Sequence, residues 1–377
     1  MIGLLSFHQC HNFGAVLQSY ALQHYITGKG YESEYINFDN ENFEWHGKKA
    51  DHIAYRNSEQ IRSDNFNDIF SDIAMQLDSR WKKYETFIKK YIYMSEKVEN
   101  EKAAASLLGK YSSIIVGGDQ LWNSNIPVAC DIYSVPYNID IPISSYGTSM
   151  GDSKFIPIRK LMFLQKFRLI GVREKASMAY LAKYTKIPVF HTVDPVFLLS
   201  KEEWNKIIKP AAGYDDYIFA YVFNNGTSDF WENIHNIKRL GDKWKKNVVI
   251  CSNDIIIQEG IISLIDISPE QWLGLIAGAE FVITNSFHGA AFSCIFQKQF
   301  LVLNVDSRKH ELLEICGLLY KEEETIESCM GTETVKEIDY NRVNECLNNH
   351  ILKSKEYLDK ICAMEKIYGA GKAEGDK

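Results

Sequence analysis

Short apolar runs alternate along this chain with segments of helical period. Residues 2–6, Ile-Gly-Leu-Leu-Ser, read as a buried strand, and residues 14–26 as the helix that follows, with Leu17, Tyr20, Ala21 and Tyr25 on one face. Residues 32–38 add a second strand, so a parallel sheet begins before residue 40. Residues 39–108 break the rhythm. They are polar and helical in period, with Phe66, Ile69, Phe70, Ile73 and Leu77 at i, i+3, i+4, i+7 spacing, continued by Trp81, Tyr84, Ile88 and Tyr91. This pattern predicts a helical insertion packed on the first domain. Lys82, Lys83, Lys89 and Lys90 beside those aromatics allow a membrane-surface face, but a core-facing helix with a solvated basic side accounts for them as well.

Strands resume at 112–118, 141–149, 169–174 and 187–191, with helices at 158–167 and 175–184 between them. Residues 194–204 and Pro210 to Gly213 read as the exit from this domain. A second alternation runs from 216–223 through a helix at 228–240 and a strand at 247–252. Ser268-Pro269-Glu270-Gln271 forms a capping box with proline in the first turn of the next helix. The strand 281–284, the helix 289–296, the strand 300–304 and a helix near 309–319 complete the series. The predicted division is a Rossmann-like domain over 1–210 with the insertion at 39–108, a second over 211–338, and a C-terminal helix with a frayed tail over 339–377. The fold class is therefore α/β, two doubly wound domains, with ligands expected in a cleft at the C-terminal ends of both sheets.

Composition narrows the function. A chain of 377 residues is longer than one core usually supports. Its net charge of −7 and the absence of a Lys/Arg block argue against nucleic acid as a partner. The first residues carry no basic lead and too short an apolar run for a signal peptide or a membrane span, which predicts a cytoplasmic protein. Eight scattered cysteines without a CxxC pair read as reduced core thiols. His8, Cys10 and His11 suggest a metal site, but consecutive strand-end residues cannot easily face one ion and no partner pair is evident, so no metal is expected. GxGxxG, Walker A and GxSxG motifs are absent, which removes dehydrogenase, P-loop and α/β-hydrolase readings.

The most pointed stretch is Thr284-Asn285-Ser286-Phe287-His288-Gly289-Ala290. It places His288 on a strand-to-helix turn, with Ser286 as N-cap and Gly289 keeping the approach open. Amides from about His288 to Ala290 suit an anion there. The helix start disfavours imidazolium, so the ring is expected neutral in the empty site, and a bound dianion would favour its protonation. Arg308 follows the next strand, and Arg173 ends a strand of the first domain; either guanidinium can hold a carboxylate or phosphate through paired hydrogen bonds. Taken singly, His288 also reads as a capping residue, and each arginine as an ion-pair residue, Arg173 with Glu174.

The blocks 12–25, 114–123, 143–151, 171–177, 193–199 and 281–304 are collinear and resemble the polysaccharide pyruvyl transferase family. That resemblance implies two Rossmann-like domains in a GT-B arrangement and phosphoenolpyruvate as donor. The implied product is a pyruvate ketal across two hydroxyls of a sugar, often a lipid-linked oligosaccharide, in capsular, exopolysaccharide or cell-wall biosynthesis. By motif it assigns the essential histidine to His288 and donor-binding cations to Arg173 and Arg308. Ser286 stands where some branches carry an arginine, Gly117-Gly118-Asp119-Gln120 replaces Gly-Ser-Asp-Gln, and Tyr320 occupies another common arginine position.

On this reading the donor meets Arg308, Ser286 and Gly289 on the C-terminal side together with Arg173 of the first domain, and phosphoenolpyruvate is a co-substrate with no further cofactor. The acceptor meets Asn12, Gln18, Gln120 and Asn123 on the N-terminal side, while His288 and Asp119 carry the proton transfers. Turn and cap chemistry explains the acceptor-side residues equally well. Membrane contact is at most peripheral, at the inner face. A nucleotide-sugar glycosyltransferase of the same architecture and a catalytically silent sugar-binding protein remain the alternatives.

Overall fold

The first strand, β1 (Ile2–Leu5), is buried along its whole length, as expected of a parallel strand covered on both faces. In the computed structural model the described residues are 1–38, 66–98, 101–126, 129–210, 213–224, 229–252, 254–331 and 336–375. Residues 39–65 of the expected insertion, and Ala211 and Ala212 of the expected linker, lie outside them.

Helix α1 (Phe13–Gly28) follows β1, capped by Asn12, whose side chain accepts from the Ala15 amide at 3.2 Å. Most of α1 is buried, and not only the stripe seen in the sequence, because it packs on the sheet and on the turn Pro195–Leu198. Strands β2 (Ser33–Tyr35), β3 (Ser113–Gly117) and β4 (Ile143–Tyr146) give the parallel order β2-β1-β3-β4. Parallel bridges Ser144–Leu169 and Thr148–Val172 link β4 to β5 (Ile170–Val172), which pairs with β6 (Val189–His191). Bridges from Tyr35 to Met94 and Phe38 to Val98 add one more extended segment outside β2. The chain thus reverses direction of growth between β1 and β3, the switch point of a doubly wound sheet.

The second sheet has the parallel order β11-β10-β7-β8-β9, from β7 (Tyr217–Tyr221), β8 (Asn247–Cys251), β9 (Ile261–Ser263), β10 (Phe281–Thr284) and β11 (Gln299–Val302). Its switch point lies between β7 and β10. Strand β9 is short and only half-buried, and its sequence carries too weak a pattern to be read in advance.

The chain forms two units, and their membership corrects the linear division. One comprises Met1–His46, Ile88–Leu199 and Leu347–Lys377, the other Gly47–Phe87 and Ser200–Cys346. Helix α2 (Phe66–Tyr91) was expected on the first domain, but up to Phe87 it belongs to the second unit. Ile73 is buried with Ile255 and Ile265, Leu77 packs against them, and Lys83 pairs with Asp266 at 2.7 Å. Helical period reveals an apolar face but not the surface that covers it. The second unit also starts earlier than residue 211: helix α6 (Lys201–Asn205), closed by a Ser200–Glu203 capping box, buries Trp204 against Phe292 at 4.9 Å. The final helix, α12 (Tyr340–Gly375), is not a separate piece. Its backbone stays helical to Gly375, and from Leu347 it joins the first unit, where Ser354 accepts from the Val193 amide at 2.9 Å and Tyr357 donates to the Ser145 carbonyl at 2.8 Å.

Candidate functional site

Each unit gathers polar groups at the carboxyl ends of its own strands. In the second unit the switch point is bridged by Asn285, which directly follows β10. Its side chain accepts from the Phe223 amide at 2.9 Å and donates to the Phe223 carbonyl at 2.8 Å, fixing the segment after β7 to the segment after β10. Helix α9 (Phe287–Ile295) starts immediately after, with Ser286 as the predicted N-cap, accepting from the Gly289 amide at 3.4 Å. The Ala290 amide donates to the Ser286 carbonyl. Two of the amides expected to face an anion are therefore spent on Ser286. Gly289 serves packing: a Cβ there would lie 2.3 Å from Thr284 Oγ1, so glycine lets α9 settle on the end of β10. His288 is buried at 7% exposure in the first turn, its ring edge-on to Phe287 at 5.2 Å.

The next strand-to-helix turn supplies charge. Asp306 caps α10 (Ser307–Ile315), accepting from the amides of Arg308 at 3.2 Å and Lys309 at 3.0 Å. The same carboxylate pairs with the Arg308 guanidinium at 2.7 Å and the Lys309 ammonium at 3.1 Å. Burial pushes the Asp306 carboxyl up, but the two cations outweigh it and hold the group down at about 2. Lys309 also donates to the Asn285 carbonyl at 3.1 Å, tying α10 to the turn that carries Ser286 and His288. Burial lowers the Lys309 ammonium, against the opposing pull of Asp306. Arg308 is the more accessible cation, with 23% of its side chain exposed against 5% for Lys309. Lys309 stands next to Arg308 in the sequence, yet no local pattern marks it. Only the fold shows where its ammonium goes.

Arg80 is a second residue that the sequence reading missed. Helix α2 carries it to Tyr84, over whose ring it sits at 5.8 Å, and into the electrostatic reach of Tyr221 and Cys251. Tyr221 and Cys251 pair in register at the last position of β7 and β8, and Tyr221 pairs with Thr284 of β10. Arg80 therefore stands at the same carboxyl edge as the His288 turn. A cavity of about 610 Å³ opens beside the end of β11, lined by Asn304, Asp306, His310, Glu322, Glu324 and Glu327 among others. Its carboxylates disfavour an anion and suit hydroxyl groups.

In the first unit, Gln18 lies at the switch point but is fully buried, donating to Ser6 Oγ at 2.7 Å, Ser19 Oγ at 2.9 Å and the Ala15 carbonyl at 3.1 Å. Its Oε1 presses on Gly118, whose φ of +77° and lack of Cβ make the approach possible. Asn12 is occupied as the α1 cap. Asp119, at φ +49°, accepts from the Gln120 amide at 2.9 Å; Gln120 accepts from Asn123, which also donates to Asp152 at 3.0 Å. Asp119, Gln120 and Asn123 thus share one network at the ends of β3 and β4.

Arg173 is 3% exposed and bonded to Asp194 and, at 3.4 Å, to Glu174. Burial alone would push the guanidinium down, but Asp194, Glu174 and Asp119 outweigh it, so Arg173 stays charged. Glu174 also accepts from Ser149 and, at 2.8 Å, from Ser177. His8 stacks on Tyr35 at 4.6 Å, with Nδ1 at the Ser6 carbonyl at 3.0 Å. Among the described residues no group of three His, Cys, Asp or Glu side chains is placed to hold a metal ion, and no helix is long and apolar enough to cross a membrane.

Parallel sheets wrapped by helices, with polar turns at their carboxyl ends, define an α/β protein of the Rossmann-like class, and solved structures assign it to the GT-B fold. UDP-N-acetylglucosamine 2-epimerase from Rickettsia bellii is similar with a TM-score of 0.56 and 10% identity over 97% of this chain and 96% of that one. The S. aureus MnaA–UDP structure has a TM-score of 0.50 at 12% identity, covering 96% of this chain and 90% of that one. Arabidopsis thaliana UGT89C1 complexed with UDP also has 0.50, at 9% identity over 97% and 99%. No curated protein matches the sequence. The polysaccharide pyruvyl transferase family matches residues 12–307, most of the chain, and this protein belongs to that family.

Proposed function

We propose that the protein transfers the pyruvate unit of phosphoenolpyruvate onto two hydroxyls of a sugar, in the biosynthesis of a capsular, exopolysaccharide or cell-wall polysaccharide. The observation that carries this reading is the joining of two successive strand-to-helix turns by Lys309. That contact sets His288, Ser286 and the partly exposed Arg308 at one strand edge, in a chain whose family transfers pyruvyl groups. A donor with a carboxylate and a phosphate on one small alkene needs several cationic or amide donors close together. Arg308 and Lys309 supply two, each tethered by Asp306, and Arg80 lies at the same sheet edge as a third.

In this reading His288 delivers a proton to the methylene carbon. The adjacent carbon gains oxocarbenium character and the first sugar hydroxyl adds to it, losing its proton. The second hydroxyl then displaces phosphate, which leaves with the C–O bonding pair, and the ketal closes. Asp119 of the first unit is the candidate base for the acceptor, with Gln120 and Asn123 positioning hydroxyls. Gln18 and Asn12 act from behind, holding the turns. Arg173 would have to divide its guanidinium between the donor and two buried carboxylates, so its first role is to hold Asp194 and Glu174 in place.

The test is phosphate release from phosphoenolpyruvate against a panel of free and lipid-linked glycosides. Loss of a general acid–base group costs about 10²–10⁴-fold, so turnover of His288→Ala should fall by that order while the protein stays folded. Near-normal turnover in that variant removes His288 from the chemistry. Because the solved structures of similar fold include UDP complexes, a nucleotide-sugar transferase is the second reading. Stabilisation by UDP-sugars and none by phosphoenolpyruvate in a thermal-shift assay would favour it.

A further inference from the structure

One short helix of the first unit carries more apolar surface than its core uses. Helix α4 (Ile158–Leu164) turns Leu164 into the core, with Leu161 packed against it and Ile156 buried just before. Its other side is not covered: Ile158 is 79% exposed, Met162 67% and the preceding Phe155 58%. Ile158 and Met162 are four residues apart, so they stand one above the other on a single face. Neighbouring chain extends this surface, since Tyr180 accepts from the Ile156 amide at 3.1 Å and Gln165 donates to the carbonyl of Tyr184, itself 47% exposed.

Charge identifies what this face suits. From Ser153 to Val172 the sequence contains no Asp or Glu, although the whole chain has a net charge of −7. Lys154, Arg159 and Lys166 are all exposed around the apolar side chains. Arg159 lies 3.5 Å from Asp131, but with 74% of its side chain exposed that pair leaves the charge in solvent. A second copy of this chain would set like charges against each other across a two-fold axis, which is unfavourable. A negatively charged bilayer surface meets both features, because apolar and aromatic side chains enter the headgroup layer while Lys and Arg stems reach up to the phosphates.

We propose that Phe155, Ile158 and Met162, ringed by Lys154, Arg159 and Lys166, form a docking face for an anionic lipid surface. The basic side of α2 does not serve this purpose: Lys83 is tied to Asp266 and Lys82 to Asp78, while Tyr84, Phe87 and Ile88 are buried. Three inserted side chains and three charges give weak, reversible attachment that responds to salt. Docking does not depend on which reaction the protein catalyses.

Co-sedimentation of the full-length protein with glycan-free vesicles, of phosphatidylcholine alone or mixed with phosphatidylglycerol, tests this. Binding is expected only with phosphatidylglycerol, declining with salt and by about fivefold for each of Lys154, Arg159 and Lys166 changed to Gln. The pair Ile158→Glu and Met162→Glu should abolish it while leaving the melting temperature and phosphate release unchanged, since both side chains are exposed. Equal binding by that variant and the wild type, or equal binding to both lipids, would overturn the proposal. So would light scattering showing a dimer that the same variant dissociates, which would give the face to a second copy instead.

Discussion

Arg173→Met separates a structural arginine from a substrate-binding one. Methionine keeps an unbranched stem of similar reach but removes the charge. The Arg173 side chain is 4% exposed, and its partners Asp194 and Glu174 are 0% and 3% exposed, so the variant leaves two carboxylates buried without their cation. Removing one member of a buried pair costs about 3–5 kcal/mol. The remaining contacts soften the loss, since Asp194 still accepts from the Val196 amide at 3.0 Å and Glu174 from the hydroxyls of Ser149 and Ser177. A value of about 3 kcal/mol is therefore expected, which at about 2–4 °C per kcal/mol lowers the melting transition of the first unit by roughly 6–12 °C. The sign of the pH dependence is a second check. Uncompensated negative charge in the interior is relieved when protons neutralise it, so the deficit of the variant shrinks as pH falls. Scanning calorimetry at neutral and mildly acid pH, paired with titration of phosphoenolpyruvate, reads both effects. A variant that melts within about 2 °C of wild type, a loss of no more than about 0.5–1 kcal/mol, yet no longer binds phosphoenolpyruvate, would refute the structural role and return Arg173 to the donor.

Two further outcomes follow from the same geometry. Gly118→Ala places a Cβ 1.6 Å from Gln18 Oε1 at a φ of +77°, and displacing a fully buried side chain in a left-handed turn should cost about 2–4 kcal/mol in thermal stability; a neutral result would mean that Gln18 is not fixed. Acid should weaken the protein in two stages. Burial, opposed by the Ser6 carbonyl, holds His8 down at about 4, so the unfolded chain takes up a proton that the folded one refuses, and about 3 kcal/mol is lost as pH falls from 6.5 through that value. Asp306, held at about 2, contributes about 2 kcal/mol that is present above its ordinary value of 3.8 and lost as pH drops through the folded one. Melting midpoints measured across this range should flatten in the upper stage for His8→Asn, and an unchanged upper stage would contradict the assignment.

What the sequence determined by itself is local in origin. The apolar runs of β1, β7 and β10, the Ser268 capping box and the Ser286 cap depend on residues within a few positions of one another, and periodicity reports them directly. The collinear motifs carried the family for the same reason, since each is a run of neighbouring residues. Tertiary structure decided matters that turn on partners far along the chain. Strand order brought Lys309 to Asn285 and Asp194 to Arg173, and it drew α2 onto Ile255 and Ile265 within the second unit. It also showed that Gly289 makes room for Thr284 and that Gln18 is enclosed beneath Gly118. An apolar stripe or a guanidinium has the same local appearance whatever eventually covers it, and only the packed chain selects which surface or carboxylate that is.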